Sequence, residues 1–520
     1  MKENQIFLRH TFLVVALMTM FFSIAACGRD SGSINPSSTE LITTTALPSS
    51  PILTVPASTL AIQQQPTAVA PTTGFYPTPD PVREFPKLRD YEETHVVRYG
   101  DTLNKIAFQY SVGVQQIQEA NAIVDPNILS IGIVLRIPPP IPQPPGPSWK
   151  LIPDSEILFG PSTVDPSSIR RGFSRTSTLA SYVDFLDDGL FNGPAIVMRV
   201  AENFSINPKL LIAILEAQSG WAQDVDGSNI GNQLYPLGWF ETGKEGLYEQ
   251  LSWAADQLNA GYYRWLAGWS GPYIFADGRV VPPGSGVNAG TVAVQHLFSL
   301  LLSVEDWRIL MGADGFGTLY NNLFGEPFAA AIEPMLPVEL TQPDLALPFE
   351  KGRSWSFTGG PHSSFGNSGP WAALDFAPSS NAVGCVQSNA WVVASADGMV
   401  VRSGRGQVVQ DLDGDAYEQT GWSMVYLHIE TRDRVPAGTY LKTGDRIGHP
   451  SCEGGISTGT HVHIMRKYNG QWILADGPIP FNIGGWITEG AGTSYNGSLT
   501  YAGNTILACS CRAAYNQISW

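Results

Sequence analysis

Positive charge is scarce in this 520-residue chain. Thirty Lys and Arg face 46 Asp and Glu, a net charge of −16, so the surface repels nucleic acid and anionic headgroups and argues against a polyanion-binding function. Cysteine is equally sparse, with five in all. None forms the C-x-x-C pairs of the usual four-thiolate zinc site. No glycine-rich phosphate loop and no Ser-His-Asp order stands out. The apolar run from Thr11 to Ala26 is too short for a comfortable membrane span.

What is present points outward. Lys2 and Arg9 precede that apolar run, which has the length of a secretory h-region. It ends in Ile24-Ala25-Ala26-Cys27, which resembles the bacterial lipobox. The resemblance implies that residues 1–27 are a lipoprotein signal ending in an acylated Cys27, and that the protein is tethered to the outer face of the cytoplasmic membrane. Cys385, Cys452, Cys509 and Cys511 remain. In an oxidising compartment they are expected to form one or two disulfides, and three pairings of the four are open. The 14 Trp and 18 Tyr suit an exported protein whose exposed rings stack on sugars, although most of them belong in cores.

The length predicts about three domains plus linkers. Residues 28–91 are rich in Ser, Thr and Pro with almost no apolar periodicity, the composition of a disordered tether. Over residues 92–139 the pattern changes to strand, helix, helix, strand. His95-Val96-Val97 reads as a strand, Gly100-Asp101-Thr102 as a turn with a helix cap, Leu103 to Tyr110 and Val114 to Asn121 as helices, and Leu129 to Pro138 as a turn and returning strand. This βααβ unit resembles a LysM domain. The resemblance implies binding of N-acetylglucosamine-containing glycan through Gly100, Asp101, Thr102, Ile128 and Ile131; a folded spacer is the alternative.

Residues 140–150 form a Pro-rich linker. Residues 151–337 read as mostly α, with helical patterns over Pro194 to Phe204, Lys209 to Ser219, Leu247 to Leu266 and Asn288 to Leu302. Asn207-Pro208 supplies an N-cap and a first-turn proline. The stretch Asn207 to Trp221 resembles the acid-bearing helix of lysozyme-like lytic transglycosylases. That family has Glu where this chain has Gln218, and an amide cannot protonate a glycosidic oxygen. Glu216 lies on roughly the opposite helix face. The domain is therefore expected to be lysozyme-like without glycosidase activity, or a structural spacer.

Residues 343–520 change to short alternating segments: Trp391 to Ala396, Gly398 to Ser403, Ser423 to Ile429, Asp445 to Gly448 and His461 to Lys467. An antiparallel all-β domain follows. Five of the eight histidines lie here. His461 and His463 are two apart on a strand and share a face. Upstream stand His362, Asp375 in Leu374-Asp375-Phe376, and His428 in Tyr426-Leu427-His428. Two imidazoles and a carboxylate with a fourth position open to water are what a catalytic zinc requires.

Ser457-Thr458-Gly459-Thr460-His461-Val462-His463 and the Gly438 to Gly448 strand-loop, with Leu441 where Val is usual, resemble the lysostaphin and LytM type of zinc metallopeptidase. Most of that family has a His ligand four residues before the Asp, where this chain has Trp371; His362 lies 13 residues ahead. The wider spacing resembles the staphylolysin and β-lytic endopeptidase branch, in which an intervening loop returns the His to the metal. The resemblance implies that His362, Asp375 and His463 hold Zn2+. It also implies that His428 and His461 act on the attacking water, the oxyanion and the leaving amine. Asp411, Asp413 and Asp415 hint at calcium but lack the twelfth-position Glu, Trp422 standing there. A turn is the simpler reading, and His449 reads as a loop residue.

The expectation is an exported, lipid-anchored, zinc-dependent endopeptidase. Peptidoglycan is its expected partner, the glycan through LysM and the stem or cross-bridge peptide through the metal site. The alternative is a non-catalytic wall-binding or hydrolase-regulating lipoprotein, whose mark would be loss of the metal residues.

Overall fold

The computed structural model describes residues 83–224, 233–380 and 383–520. The expected signal with Cys27 and the expected Ser/Thr/Pro tether up to residue 82 lie outside the described residues. The described residues all belong to one compact unit. Among the described residues no helix is long and apolar enough to cross a membrane.

The glycan-binding candidate folds as its pattern predicts. Strand Glu93–Val96 pairs antiparallel with Val134–Ile137, and helices Leu103–Tyr110 and Val114–Asn121 pack on them. Thr102 caps the first helix, its hydroxyl accepting the Lys105 N–H at 3.2 Å. A small core of Val97, Leu103, Ile106, Val112, Ile117, Leu135 and Ile137 holds the unit together.

The segments on either side are not free linkers. Within the expected tether, Arg83 lies over the Trp265 ring at 3.8 Å and Arg89 donates to the Ile137 carbonyl at 3.1 Å. In the expected Pro-rich linker, Ile141–Pro142 adds a parallel strand to Arg279–Val281. Gln143 and Gly146 then donate to the carbonyls of Val280 and Pro282, both at 2.8 Å. Phe108 stacks on Trp269 with centroids 6.3 Å apart, and Arg264 covers the same phenyl ring. Pro-rich composition keeps the chain extended, and an extended chain pairs readily with an exposed strand edge.

The middle domain is helical where periodicity indicates it: Gly193–Phe204, Pro208–Ser219, Leu247–Leu266 and Ala289–Ser299. Asn207 and Asn288 cap two of these through their side chains. Residues Pro208 to Leu215 are buried all round, so this helix is the spine of the core. The mostly α expectation omits two small β pieces, the hairpin Val183–Leu186 with Gly189–Asn192 and the strands Tyr273–Ile274 and Arg279–Val281.

The C-terminal domain is built on one antiparallel sheet. Its strands run Tyr440–Leu441, Gly398–Gly404, Gln407–Asp411, Trp422–Leu427, Val462–Tyr468, Trp371–Pro378, Ser354–Ser363 and Gln517–Ser519. Alternation sorts its side chains between two cores. Leu374, Phe376, Val408, Met424, Tyr426, Val462 and Ile464 face the remainder of the C-terminal domain. Ala373, Val409, Val425, Leu427 and Met465 face the other way and join the core of the helical domain. That seam also carries polar bonds. Trp472 Nε1 donates to the Phe204 carbonyl at 3.2 Å, the Trp472 N–H to the Tyr263 hydroxyl at 2.8 Å and Ser205 Oγ to the Gly470 carbonyl at 2.7 Å.

Because the two domains share one buried core, Trp472→Ala is expected to cost about 3–5 kcal/mol. Urea unfolding followed by fluorescence and circular dichroism should show helix and sheet signals lost in a single, earlier transition.

Candidate metal centre

Register builds the site. Leu427, His463, Asp375 and Gly359 stand opposite one another across four neighbouring strands. The Asp375 carboxylate leans over Gly359: a Cβ placed there would lie 2.5 Å from Oδ2. Two shifts of register between Phe357 and His362 then place His362 opposite Ala373. The hairpin closes at Ser363 opposite Trp371, so the loop of residues 364–370 accounts for the long His362 to Asp375 spacing and returns the imidazole to the carboxylate.

His362 Nε2 lies 3.0 Å from His463 Nδ1. Asp375 Oδ1 is 3.3 Å from the first and 3.1 Å from the second. The far nitrogens of both rings meet backbone carbonyls, His362 Nδ1 with Gly360 at 2.8 Å and His463 Nε2 with Ser364 at 3.1 Å. A carbonyl only accepts, so those nitrogens carry the protons, and the two facing nitrogens present lone pairs to each other and to a carboxylate. Three electron-pair donors aimed at one point repel unless a cation lies between them. Their separations match the roughly 3.3 Å edge of a tetrahedron with zinc–ligand bonds of about 2.0–2.1 Å. The residues present therefore fit zinc.

His428 and His461 are brought to the same place, with ring centroids 4.6 Å apart. Their Nδ1 atoms donate to the carbonyls of Glu453 at 2.9 Å and Gly459 at 2.7 Å, leaving both Nε2 lone pairs for chemistry. His461 Nε2 stands 3.5 Å from Asp375 Oδ1. Burial, reinforced by the neighbouring imidazoles, pushes His428 down to about 3. Burial likewise lowers His463, against the opposing pull of Asp375. Burial also acts to lower His461, but the carboxylate outweighs it and the net direction is up. For Asp375 burial acts upward, yet the charges of His362 and His461 prevail and hold it well below the usual carboxylate range. The set thus combines an ionised carboxylate with two imidazoles, His428 and His463, that burial favours in the neutral form.

Several contributors escape motif reading. The Tyr495 ring stacks on His362 at 4.1 Å, fixed because Tyr495 and residues 360–361 exchange backbone hydrogen bonds. The Ser364 and Glu453 carbonyls orient ligands through the main chain, where residue type leaves no trace. The disulfide Cys385–Cys452 resolves one open pairing; Cys509–Cys511 is the other. The first bond ties residue 385 to the segment that carries the Glu453 carbonyl.

The remaining candidates fall elsewhere. Asp411, Asp413 and Asp415 have oxygens within 4.8 Å of one another, but buried Asp411 accepts the N–H groups of Asp413, Gly414 and Ala416, as the turn reading requires. His449 is buried against Trp391 and donates or accepts only with Ala390 and Asp433. In the middle domain Glu216 accepts the Ala222 and Gln223 N–H groups, so its carboxylate closes a helix end. On the LysM unit Gly132 donates to Val97, which sets the two candidate loops side by side. Ile128 and Ile131 are 71% and 66% exposed, whereas Asp101 accepts from Arg98 N–H and meets His95.

Comparison with known proteins adds a lineage to this geometry. Residues 381–474 match peptidase family M23, residues 95–138 the LysM domain and residues 150–338 the LasA N-terminal domain. Beta-lytic metalloendopeptidase of Lysobacter enzymogenes is 30% identical over 159 residues, 29% of this chain and 83% of that protein. The chain belongs to peptidase family M23. Protease LasA of Pseudomonas aeruginosa is 26% identical over 305 residues, 54% of this chain and 68% of that protein. The solved M23 metalloprotease pseudoalterin, from the deep sea, shares 24% identity over 34% of this chain and 99% of its own, with a TM-score of 0.28. By its family the chain is a metalloendopeptidase, with residues that fit zinc, and it carries a LysM domain. The M23 match begins at residue 381, downstream of both His362 and Asp375, in keeping with their unusual spacing. The middle domain matches the LasA N-terminal domain.

Gly359→Ala forces the Asp375 carboxylate aside with little change to the sheet. Zinc affinity measured by chelator competition is expected to fall about tenfold or more, with an unchanged circular dichroism spectrum.

Proposed function

We propose that this M23 peptidase hydrolyses peptide bonds in the stem or cross-bridge peptides of peptidoglycan, outside the cell and anchored to the outer face of the cytoplasmic membrane through Cys27. The observation that carries the reading is the convergence of His362 Nε2, His463 Nδ1 and Asp375 Oδ1, within 3.3 Å of one another, in a chain that also carries a LysM domain. In this reading those three side chains hold the zinc. Zinc in such a setting supplies Lewis acidity toward a peptide carbonyl and toward water.

The chain's own residues do the rest. Neutral His428, its Nδ1–H fixed on the Glu453 carbonyl, takes the proton of the attacking water at Nε2. It then returns that proton to the departing amine. His461 Nε2 faces the same space and stabilises negative charge on the substrate oxygen once protonated, a state favoured by Asp375. The exposed Ile128 and Ile131, with the backbone around Gly100, Asp101 and Thr102, receive glycan. The names of the relatives, a beta-lytic metalloendopeptidase and the protease LasA, support hydrolysis of internal peptide bonds, and the LysM domain supports a wall setting for it. The docked LysM unit would hold glycan at a set distance from the peptide site.

Purified wall digested with the full chain should release new amino termini without new reducing or anhydro-sugar ends, as read by mass spectrometry, and chelator should abolish the release. Sugar-end products would reject the assignment. His362→Ala and His463→Ala are expected to lose zinc and turnover together, while His428→Ala keeps stoichiometric zinc and loses turnover by about 10²-fold or more.

A further inference from the structure

The metal centre and the helical domain occupy the same face of the sheet. Ala373 and Asp375 are two apart on one strand, and His463 and Met465 are two apart on its neighbour. Side chains so spaced share a face. Ala373 and Met465 are buried in the helical domain's core, so the metal residues emerge one step beyond its edge. The loop of residues 364–370 crosses that edge.

This loop has little to hold it from within. It contains Gly366, Gly369 and Pro370 and no regular structure, and its base is closed by the Ser364 N–H donating to the Pro370 carbonyl at 2.9 Å. Its tip is held from the helical domain. Asp256, on helix Leu247–Leu266, accepts the Ser368 N–H at 2.9 Å. The Ser368 hydroxyl and the Asn367 N–H face the same carboxylate. Phe204 meets Phe365 edge-on with centroids 5.0 Å apart. Gly366 passes close beneath, in a left-handed conformation at φ 72°, where a Cβ would lie 2.4 Å from Asp256 Oδ1 and 2.9 Å from Phe204 Cε1. Only glycine permits this approach.

The consequence runs through one main-chain atom. The Ser364 carbonyl accepts from His463 Nε2 and thereby keeps the lone pair on Nδ1, the nitrogen that faces Asp375 and His362. If the loop drifts, that hydrogen bond fails and the imidazole loses both its tautomer and its orientation. We infer that Asp256, with Phe204 behind it, is a positioning residue for the metal centre, clamping the 364–370 loop so that the Ser364 carbonyl fixes His463. Through this clamp the helical domain bears on the metal centre. This inference rests on the assignment of His463 as a zinc ligand.

The test uses the full-length chain and its Asp256→Ala and Asp256→Asn variants. Zinc stoichiometry, zinc affinity by chelator competition, the visible spectrum of the Co2+-loaded protein, and kcat and KM on wall fragments are measured for each. Asp256→Ala is expected to weaken zinc about 10–100-fold, the range for loss of an outer-shell partner. It should also shift the Co2+ bands and lower kcat while KM stays within about twofold. Asp256→Asn retains an oxygen for the Ser368 N–H and should restore most of the affinity. Should Asp256→Ala fail to fold, Phe204→Leu is expected to shift the same Co2+ bands. Parental zinc affinity and an unchanged Co2+ spectrum in a folded variant overturn the inference alone, while a parent chain without stoichiometric zinc overturns the site assignment and this inference with it.

Discussion

Two imidazole nitrogens held 3.0 Å apart beside a buried carboxylate are a crowded arrangement that the surrounding structure must maintain. Four histidines around this point each commit their other nitrogen to a main-chain carbonyl: Gly360, Ser364, Glu453 and Gly459. Fixing a tautomer this way costs little in stability and makes every facing nitrogen an electron-pair donor. The rest of the C-terminal domain can be understood as what holds those carbonyls in place. The sheet register sets Gly360, the Cys385–Cys452 bond ties down the segment bearing Glu453, and the turn at Ser457 to Thr460 presents Gly459.

Ser364 is the exception, because its loop depends on another domain. Val425, Leu427 and Met465 on the sheet and Leu210 to Leu215 of the helical spine belong to one cluster of buried side chains. Area buried across such a seam stabilises both sides together. Polar groups pair across it, Ser205 with the Gly470 carbonyl and the Trp472 indole with the Phe204 carbonyl. A metal centre at the rim of this seam draws its rigidity from both domains.

The same economy extends toward the amino terminus. The Pro-rich segment after Ile137 adds a strand to the helical domain, and Phe108 stacks on Trp269. The LysM unit therefore belongs to the same compact body as the peptidase. Its exposed Ile128 and Ile131 and the metal centre lie at set positions in that body.

Local pattern carried the reading of this chain a long way. Apolar periods of 3.6 and 2 located the four long helices and the strands at Gly398–Gly404, Trp422–Leu427 and Val462–Tyr468 to within a few residues, and the His-Val-His spacing set two imidazoles on one face, because these are properties of neighbours along the backbone. The strands Ser354–Ser363, Trp371–Pro378 and Gln407–Asp411, buried on both faces, show no such alternation and escape that reading. The order of His362, Asp375, His428, His461 and His463, with the family resemblance carried by Ser457 to His463, was enough to name the chemistry. Folding alone decided that residues 140–150 dock instead of dangling, that Cys385 pairs with Cys452, that Tyr495 lies against His362 and that Asp256 reaches the 364–370 loop. Each of these joins segments far apart in sequence through main-chain atoms or packed surfaces, and neither leaves a periodicity or a residue motif from which the contact could be read.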